Sequence, residues 1–144
     1  TTAGFGVLRI SSVQGVGVNG RAQGLISVFA RQAAFGGPIT VMGSGESVKD
    51  LVSIGTVLDV IGGCILQPPA TAPYSTIIPV GSGQSVTVSE VADAVRNCSG
   101  ADIVHIEADP NDLSGYVDVE STDGEWMDMV ETVWGAVKTE MEGV

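Results

Sequence analysis

The first 45 residues contain no aspartate or glutamate; their only charges are Arg9, Arg21 and Arg31. Lys49 against Glu46, Asp50 and Asp59 leaves residues 1–89 at net +1, while residues 90–144 carry net −12, which together give the chain's −11. Only 16% of the 144 residues are charged, well below the roughly 25% of a typical soluble domain. A small chain so poor in charge exposes apolar surface, and contacts with other subunits are the expected cover for it. The overall acidity excludes general nucleic-acid binding, which needs a basic footprint, and disfavours anionic membranes.

Other absences narrow the reading further. No apolar run reaches the roughly 20 residues of a membrane span; the longest, residues 51–66, is broken by Gly55, Asp59, Gly62 and Gly63. Two cysteines, Cys64 and Cys98, are too few for a disulfide framework and leave one bridge or two thiols open. The chain as given is expected to carry no signal peptide, and an initial Thr1-Thr2 fits either loss of an initiator Met or cleavage of a leader. Catalytic sets are equally scarce. No Asp, Glu or Lys precedes Glu46 to support Thr1 as a nucleophile, and no G-x-S-x-G elbow occurs. His105 is the only histidine, and nothing pairs it with a defined serine or with Cys98.

What is present is glycine and apolar residue. The chain is 44% hydrophobic with mean hydropathy +0.33, so it buries a core. Gly15-Val16-Gly17-Val18-Asn19-Gly20 matches G-x-G-x-x-G, the spacing of a dinucleotide phosphate loop. That motif requires a helix directly after it and an acid about 20 residues on. Here Gly24 and β-branched residues follow, so a glycine-rich hairpin turning at Asn19-Gly20 is preferred, with strands over residues 5–13 and 25–31. One phrase recurs: residues 42–48 (MGSGESV) return as residues 80–86 (VGSGQSV). A duplicated strand–turn–helix unit is one reading of it. Tight turns are preferred over anion-binding nests for both Gly-Ser-Gly phrases.

Three helix starts share a hydroxyl followed three residues later by an acid: Ser47/Asp50, Thr87/Glu90 and Thr122/Glu125. The last helix places Trp126, Val130, Val133, Trp134, Val137 and Met141 on one stripe, with Glu140 and Glu142 at its unfavourable negative end, where it is expected to fray. Residues 102–109 and 116–120 alternate as a hairpin. Val104, Ile106, Val117 and Val119 are expected inside, with His105, Glu107, Asp109, Asp118 and Glu120 outside. That outer face offers metal-type ligands, but a solvated acidic face is preferred because its ligands come from so few elements.

The fold expected is α+β: an N-terminal β-hairpin region, a mainly antiparallel sheet, and two or three helices on one face. Residues 1–144 form a single domain, with an acid-free β region over 1–45, an acidic α/β region over 75–144, and a ferredoxin-like order over 75–141. The function expected is a non-enzymatic structural subunit of a homo-oligomeric assembly, of the virion coat, decoration or tail type, located in a virion or outside cells. It needs no cofactor or metal. Self-association would join Arg9, Arg21 and Arg31 of one copy to Glu107, Asp109, Asp118 and Glu120 of the next. The alternatives are a secreted acidic effector or toxin-like protein with one disulfide, and a small ligand-binding domain or enzyme using the glycine turns or the His105 face.

Overall fold

The computed structural model describes residues 6–66, 76–108, 110 and 125–143. Among the described residues there are nine short strands and four helices. They are β1 (Gly6–Ile10), β2 (Ser12–Val16), β3 (Ala22–Gln23), α1 (Leu25–Ala34), β4 (Ile39–Met42), β5 (Val48–Lys49) and β6 (Leu51–Ser53). After these come α2 (Ile54–Leu66), β7 (Thr76–Val80), β8 (Val86–Thr87), α3 (Val88–Ser99), β9 (Ile103–Ile106) and α4 (Glu125–Glu142). The class is α+β. The sheet is not mainly antiparallel: β1 pairs with β7, β2 with β6 and β4 with β9, all parallel, while only β2–β3 and β5–β8 are antiparallel. Parallel partners cannot be joined by a tight turn, so these pairings connect distant stretches, such as Val7 with Ile77. The ferredoxin-like order is not formed, because β7 pairs with β1 and β9 with β4.

The turn at Asn19-Gly20 does form. Gly20 adopts φ 75°, Gly20 N–H donates to Gly17 O at 2.9 Å, and Gly17 N–H donates to Arg21 O at 3.0 Å. The return strand, however, is only Ala22–Gln23, and residues 25–34 are helix α1. Ile26, Ser27, Phe29 and Ala30 are its buried residues, a helical spacing that presents one face to the interior. Its N-cap, Gly24, has no side chain to cap with. Gln14, fully buried on β2, does this work: its Oε1 accepts Ile26 N–H at 3.1 Å, and its Nε2 donates to Ser12 O and Ser12 Oγ at 3.2 and 3.0 Å. The Gln14 amide lies where a Gly24 side chain would stand, and Gly24 holds φ 93°, so glycine is required there twice over.

The main core lies among α1, α3, α4 and β4. Ile26, Phe29 and Ala30 meet Val91, Ala92 and Val95, then Met129, Val130, Val133 and Val137, with Ile39 and Val41 beneath. The stripe read on the last helix is the one that is buried; Trp126 and Trp134 pack at its margin. Each fully buried valine there contributes about 1.5–3 kcal/mol of hydrophobic free energy. Helix α2 belongs to a second, smaller cluster of Val52, Val57 and Val80 with Leu8, Val13 and Ile78, apart from the three helices of the main core.

Of the three expected helix starts, Thr87/Glu90 forms as read. Thr87 Oγ1 accepts Glu90 N–H at 3.1 Å and Glu90 Oε2 accepts Thr87 N–H at 2.8 Å, a reciprocal box. Ser47/Asp50 starts no helix: residues 48–49 and 51–53 are β5 and β6. Thr122 lies outside the described residues.

The recurring phrase has a structural meaning. Each copy ends a parallel strand (β4, β7), turns, and enters a two-residue strand (β5, β8). Those two strands then pair antiparallel, Val48 with Thr87 and Lys49 with Val86. Equivalent residues therefore exchange partners about a local two-fold axis. Only the second copy runs directly into a helix; β6 intervenes in the first.

Candidate functional site

Two polar features lie at the two ends of the β2–β6 pair. The first is Asp50, between β5 and β6, only 2% exposed. Its Oδ1 accepts Ser11 Oγ–H at 2.9 Å, Ser82 N–H at 2.8 Å and Ser82 Oγ–H at 3.1 Å, and its Oδ2 accepts Gly83 N–H at 3.0 Å. Its own carbonyl accepts Ser12 N–H at 3.1 Å. One carboxylate thus ties the exits of β1 and β7 to the β5–β6 junction. With its oxygens so fully engaged, Asp50 is a structural knot. An acid read as part of a helix start is in fact the acceptor for a turn 32 residues away.

The second feature is a corner where two helices begin. Gln14, in the middle of β2, and Ser53, the last residue of β6, are register partners at the end of the β2–β6 pairing. Gln14 caps α1, as described. Ser53 caps α2: its Oγ accepts Thr56 N–H at 3.0 Å and lies 2.9 Å from Thr56 Oγ1. The N-termini of two helices therefore meet at one strand pair, and neither helix has an acid in its first turn. The helix dipole makes such ends attractive to phosphate or carboxylate. In open α/β structures, the carboxyl ends of parallel strands are where ligands bind. Gly15, at φ 138°, passes so close to Ile54 that a Cβ would stand 2.7 Å from its Cγ2. The glycine of the G-x-G-x-x-G phrase thus serves packing, and the rest of that phrase is a turn between strands. These residues do not form a dinucleotide phosphate loop.

The residues singled out for subunit contact are scattered. Arg9 is exposed on β1 and Arg21 on the β2–β3 turn. Arg31 is engaged within the chain, with Nη2 3.0 Å from Glu140 Oε2. Glu140 also accepts Ala22 N–H at 2.6 Å, and its pKa is lowered chiefly by that bond. The end of α4, expected to fray, is fastened there. Glu107 is exposed beyond β9, while Asp109, Asp118 and Glu120 lie outside the described residues. His105 forms no metal cluster among the described residues; its Nδ1 lies 2.7 Å from Gly43 O. Val104 and Ile106, expected inside, are 39% and 47% exposed. Cys64 on α2 is a half-buried free thiol and Cys98 on α3 an exposed one, so the pair forms no bridge. No described helix is long and apolar enough to cross a membrane.

No protein-family model matches the sequence, and no curated protein matches it. Solved structures do match. A UDP-glucuronic acid 4-epimerase from Bacillus cereus, in complex with UDP-glucuronic acid and NAD, superposes with a TM-score of 0.76 at 16% identity, over 92% of this chain and 45% of its own. An NAD-dependent NDP-hexosamine 5,6-dehydratase of tunicamycin biosynthesis gives 0.68 at 19%, over 96% of this chain and 46% of its own. A UDP-glucose 4-epimerase from Thermus thermophilus, in complex with NAD, gives 0.68 at 23%, over 89% and 45%. The chain spans a little under half the length of these structures. These matches overturn the expectation of a non-enzymatic virion coat, decoration or tail subunit, because the fold is one carried by enzymes. That expectation rested on glycine-rich β surface in residues 1–45, where the structure instead buries a helix, and on local motifs that cannot reveal a site assembled across the fold. The chain shares its fold with part of the sugar-nucleotide epimerases and dehydratases.

Proposed function

We propose that this chain is the nucleotide-sugar-binding portion of an NAD-dependent enzyme that remodels the sugar of a nucleoside-diphosphate sugar. The observation that carries the reading is the fold shared, over about nine-tenths of the chain, with enzymes whose names and ligands place them on that substrate class. The corner at Gln14 and Ser53 supports it chemically. A diphosphate brings concentrated negative charge, and two uncapped-by-acid helix N-termini at the ends of parallel strands suit it. Since residues 15–20 form a strand-to-strand turn, NAD is held by residues other than these; when bound, it supplies hydride transfer. The part assigned to this chain is to bind and orient the diphosphate and its sugar.

Titration calorimetry of the 144-residue chain with UDP-glucose, UDP and glucose tests the proposal. UDP-glucose and UDP are expected to bind, with affinity falling as salt rises, and glucose alone is not. A folded chain that binds none of the three at millimolar concentration overturns it.

A further inference from the structure

A groove of about 1,020 Å³ runs along α1, between the β2–β3 turn, the last turns of α1 and the last turns of α4. Arg21, Arg31, Phe35, Thr139 and Glu140 are among its lining residues. Its chemistry centres on one carboxylate. Glu140 Oε1 accepts Ala22 N–H at 2.6 Å, and Arg31 Nη2 lies 3.3 and 3.0 Å from Glu140 Oε1 and Oε2. The same guanidinium is fixed by Ala22 O at 2.7 Å and Ser27 Oγ at 3.3 Å, so it is already oriented. A main-chain N–H beside a braced arginine is a cradle for an oxyanion. Arg21, exposed at the rim, adds a second positive charge that also acts on Glu140. Phe35 stands beside them, 75% exposed.

Glu140 is an awkward occupant. It sits in the last turns of α4, where the helix carbonyls disfavour an acid and the backbone frays most readily. Its place there depends on the cradle and not on its own helix. We propose that this groove binds an oxyanion carried on an aromatic or apolar body, an organic phosphate or carboxylate, and that Glu140 is an internal stand-in which the ligand displaces. Arg31 and the Ala22 N–H then receive the ligand's oxygens, Arg21 closes on its remaining charge, and Phe35 packs its apolar body. Occupancy is thereby coupled to release of the end of α4. The corner proposed for the nucleotide sugar is built on Gln14 and Ser53, which are not among the lining residues of this groove, so this inference stands apart from the enzymatic reading.

The test is a nuclear magnetic resonance titration of ¹⁵N-labelled chain with phenyl phosphate, benzoate and inorganic phosphate, in the wild type and in Glu140→Gln. The glutamine retains an oxygen for Ala22 N–H but loses the charge that competes for Arg31. Glu140→Gln is expected to bind phenyl phosphate or benzoate about tenfold more tightly, the scale of one charge-assisted hydrogen bond no longer in competition. The shifts should centre on Ala22 and the Arg31 side chain, and the tighter of the two probes assigns phosphate or carboxylate. Phe35→Ala weakens the aromatic probe while leaving inorganic phosphate unchanged. Arg21→Gln, an exposed change that keeps the fold intact, weakens both probes. Equal affinity in wild type and Glu140→Gln, or shifts that avoid Ala22 and Arg31, overturns the proposal.

Discussion

Replacing Asp50 tests how the strand ends are held. In Asp50→Ala, the N–H groups of Ser82 and Gly83 and the hydroxyls of Ser11 and Ser82 lose their acceptor at a site that is 2% exposed. Hydrogen bonds to a charged group contribute about 1.5–3 kcal/mol each, but they are not additive, and hydroxyls can turn to other partners. The two main-chain donors cannot turn, so a net loss of about 3–5 kcal/mol is expected. Asp50→Asn is the informative companion. Its oxygen can still serve Ser11 and Ser82, but its amide then faces Gly83 N–H, donor to donor, for a loss of about 2 kcal/mol. Urea unfolding followed by fluorescence of Trp126 and Trp134 measures both, and the lower midpoints should come with unchanged slope. If Asp50→Ala falls within about 1 kcal/mol of wild type, the carboxylate does not hold the fold together and the reasoning fails.

Three further outcomes follow from the geometry. Thr87→Ala removes the hydroxyl from the α3 capping box and should cost about 1 kcal/mol in urea unfolding. The Glu90 pKa is lowered, first by the Thr87 main-chain bond and then by its side-chain bond. The stability Glu90 contributes is therefore present above its unfolded pKa of about 4.3 and is lost as pH falls through the lower folded value. Thr87→Ala keeps the main-chain bond and loses the hydroxyl, so it should flatten that acid-side decline only in part in an unfolding series below neutral pH; an unchanged slope contradicts the side-chain half of the box. Gly45 has φ 76°, and a Cβ there would collide with Ser89 Oγ and stand 2.9 Å from Val41 Cγ1, whereas Gly20 at φ 75° faces open space. Gly45→Ala should thus lose about 2–3 kcal/mol and Gly20→Ala about 1 kcal/mol in thermal melts; equal losses would mean that backbone strain alone decides. Gln14→Leu leaves Ile26 N–H without its acceptor at a fully buried position, for an expected loss of about 2–3 kcal/mol.

What was legible in the sequence was local. The Thr87/Glu90 box, the stripe on α4 and the turn at Asn19-Gly20 each depend on residues within a turn or two of one another, and each forms. What was not legible depends on partners far along the chain. Residues 25–31 alternate well enough for a strand, but Gln14 caps a helix at Ile26 from twelve residues upstream. Ser47 and Asp50 carry a helix-start spacing, yet Asp50 is claimed by Ser82 and Gly83. Parallel pairing hides the sheet in the same way, since β1 and β7 lie some 70 residues apart with no hairpin signal between them. The corner at Gln14 and Ser53 consists of ordinary polar residues that acquire meaning only when β2 and β6 come together. The glycine-rich half offers the pattern of exposed β surface, yet part of it is the buried helix α1.

The site proposed for the nucleotide sugar lies where the N-termini of α1 and α2 meet. The most direct measurement is a residue-resolved ¹⁵N titration of the chain with UDP-glucuronic acid. Saturable shifts at Gly15, Leu25, Ile26, Ser53 and Thr56 are the predicted result. Shifts absent at millimolar ligand, or confined to the groove at Ala22 and Arg31, would contradict it.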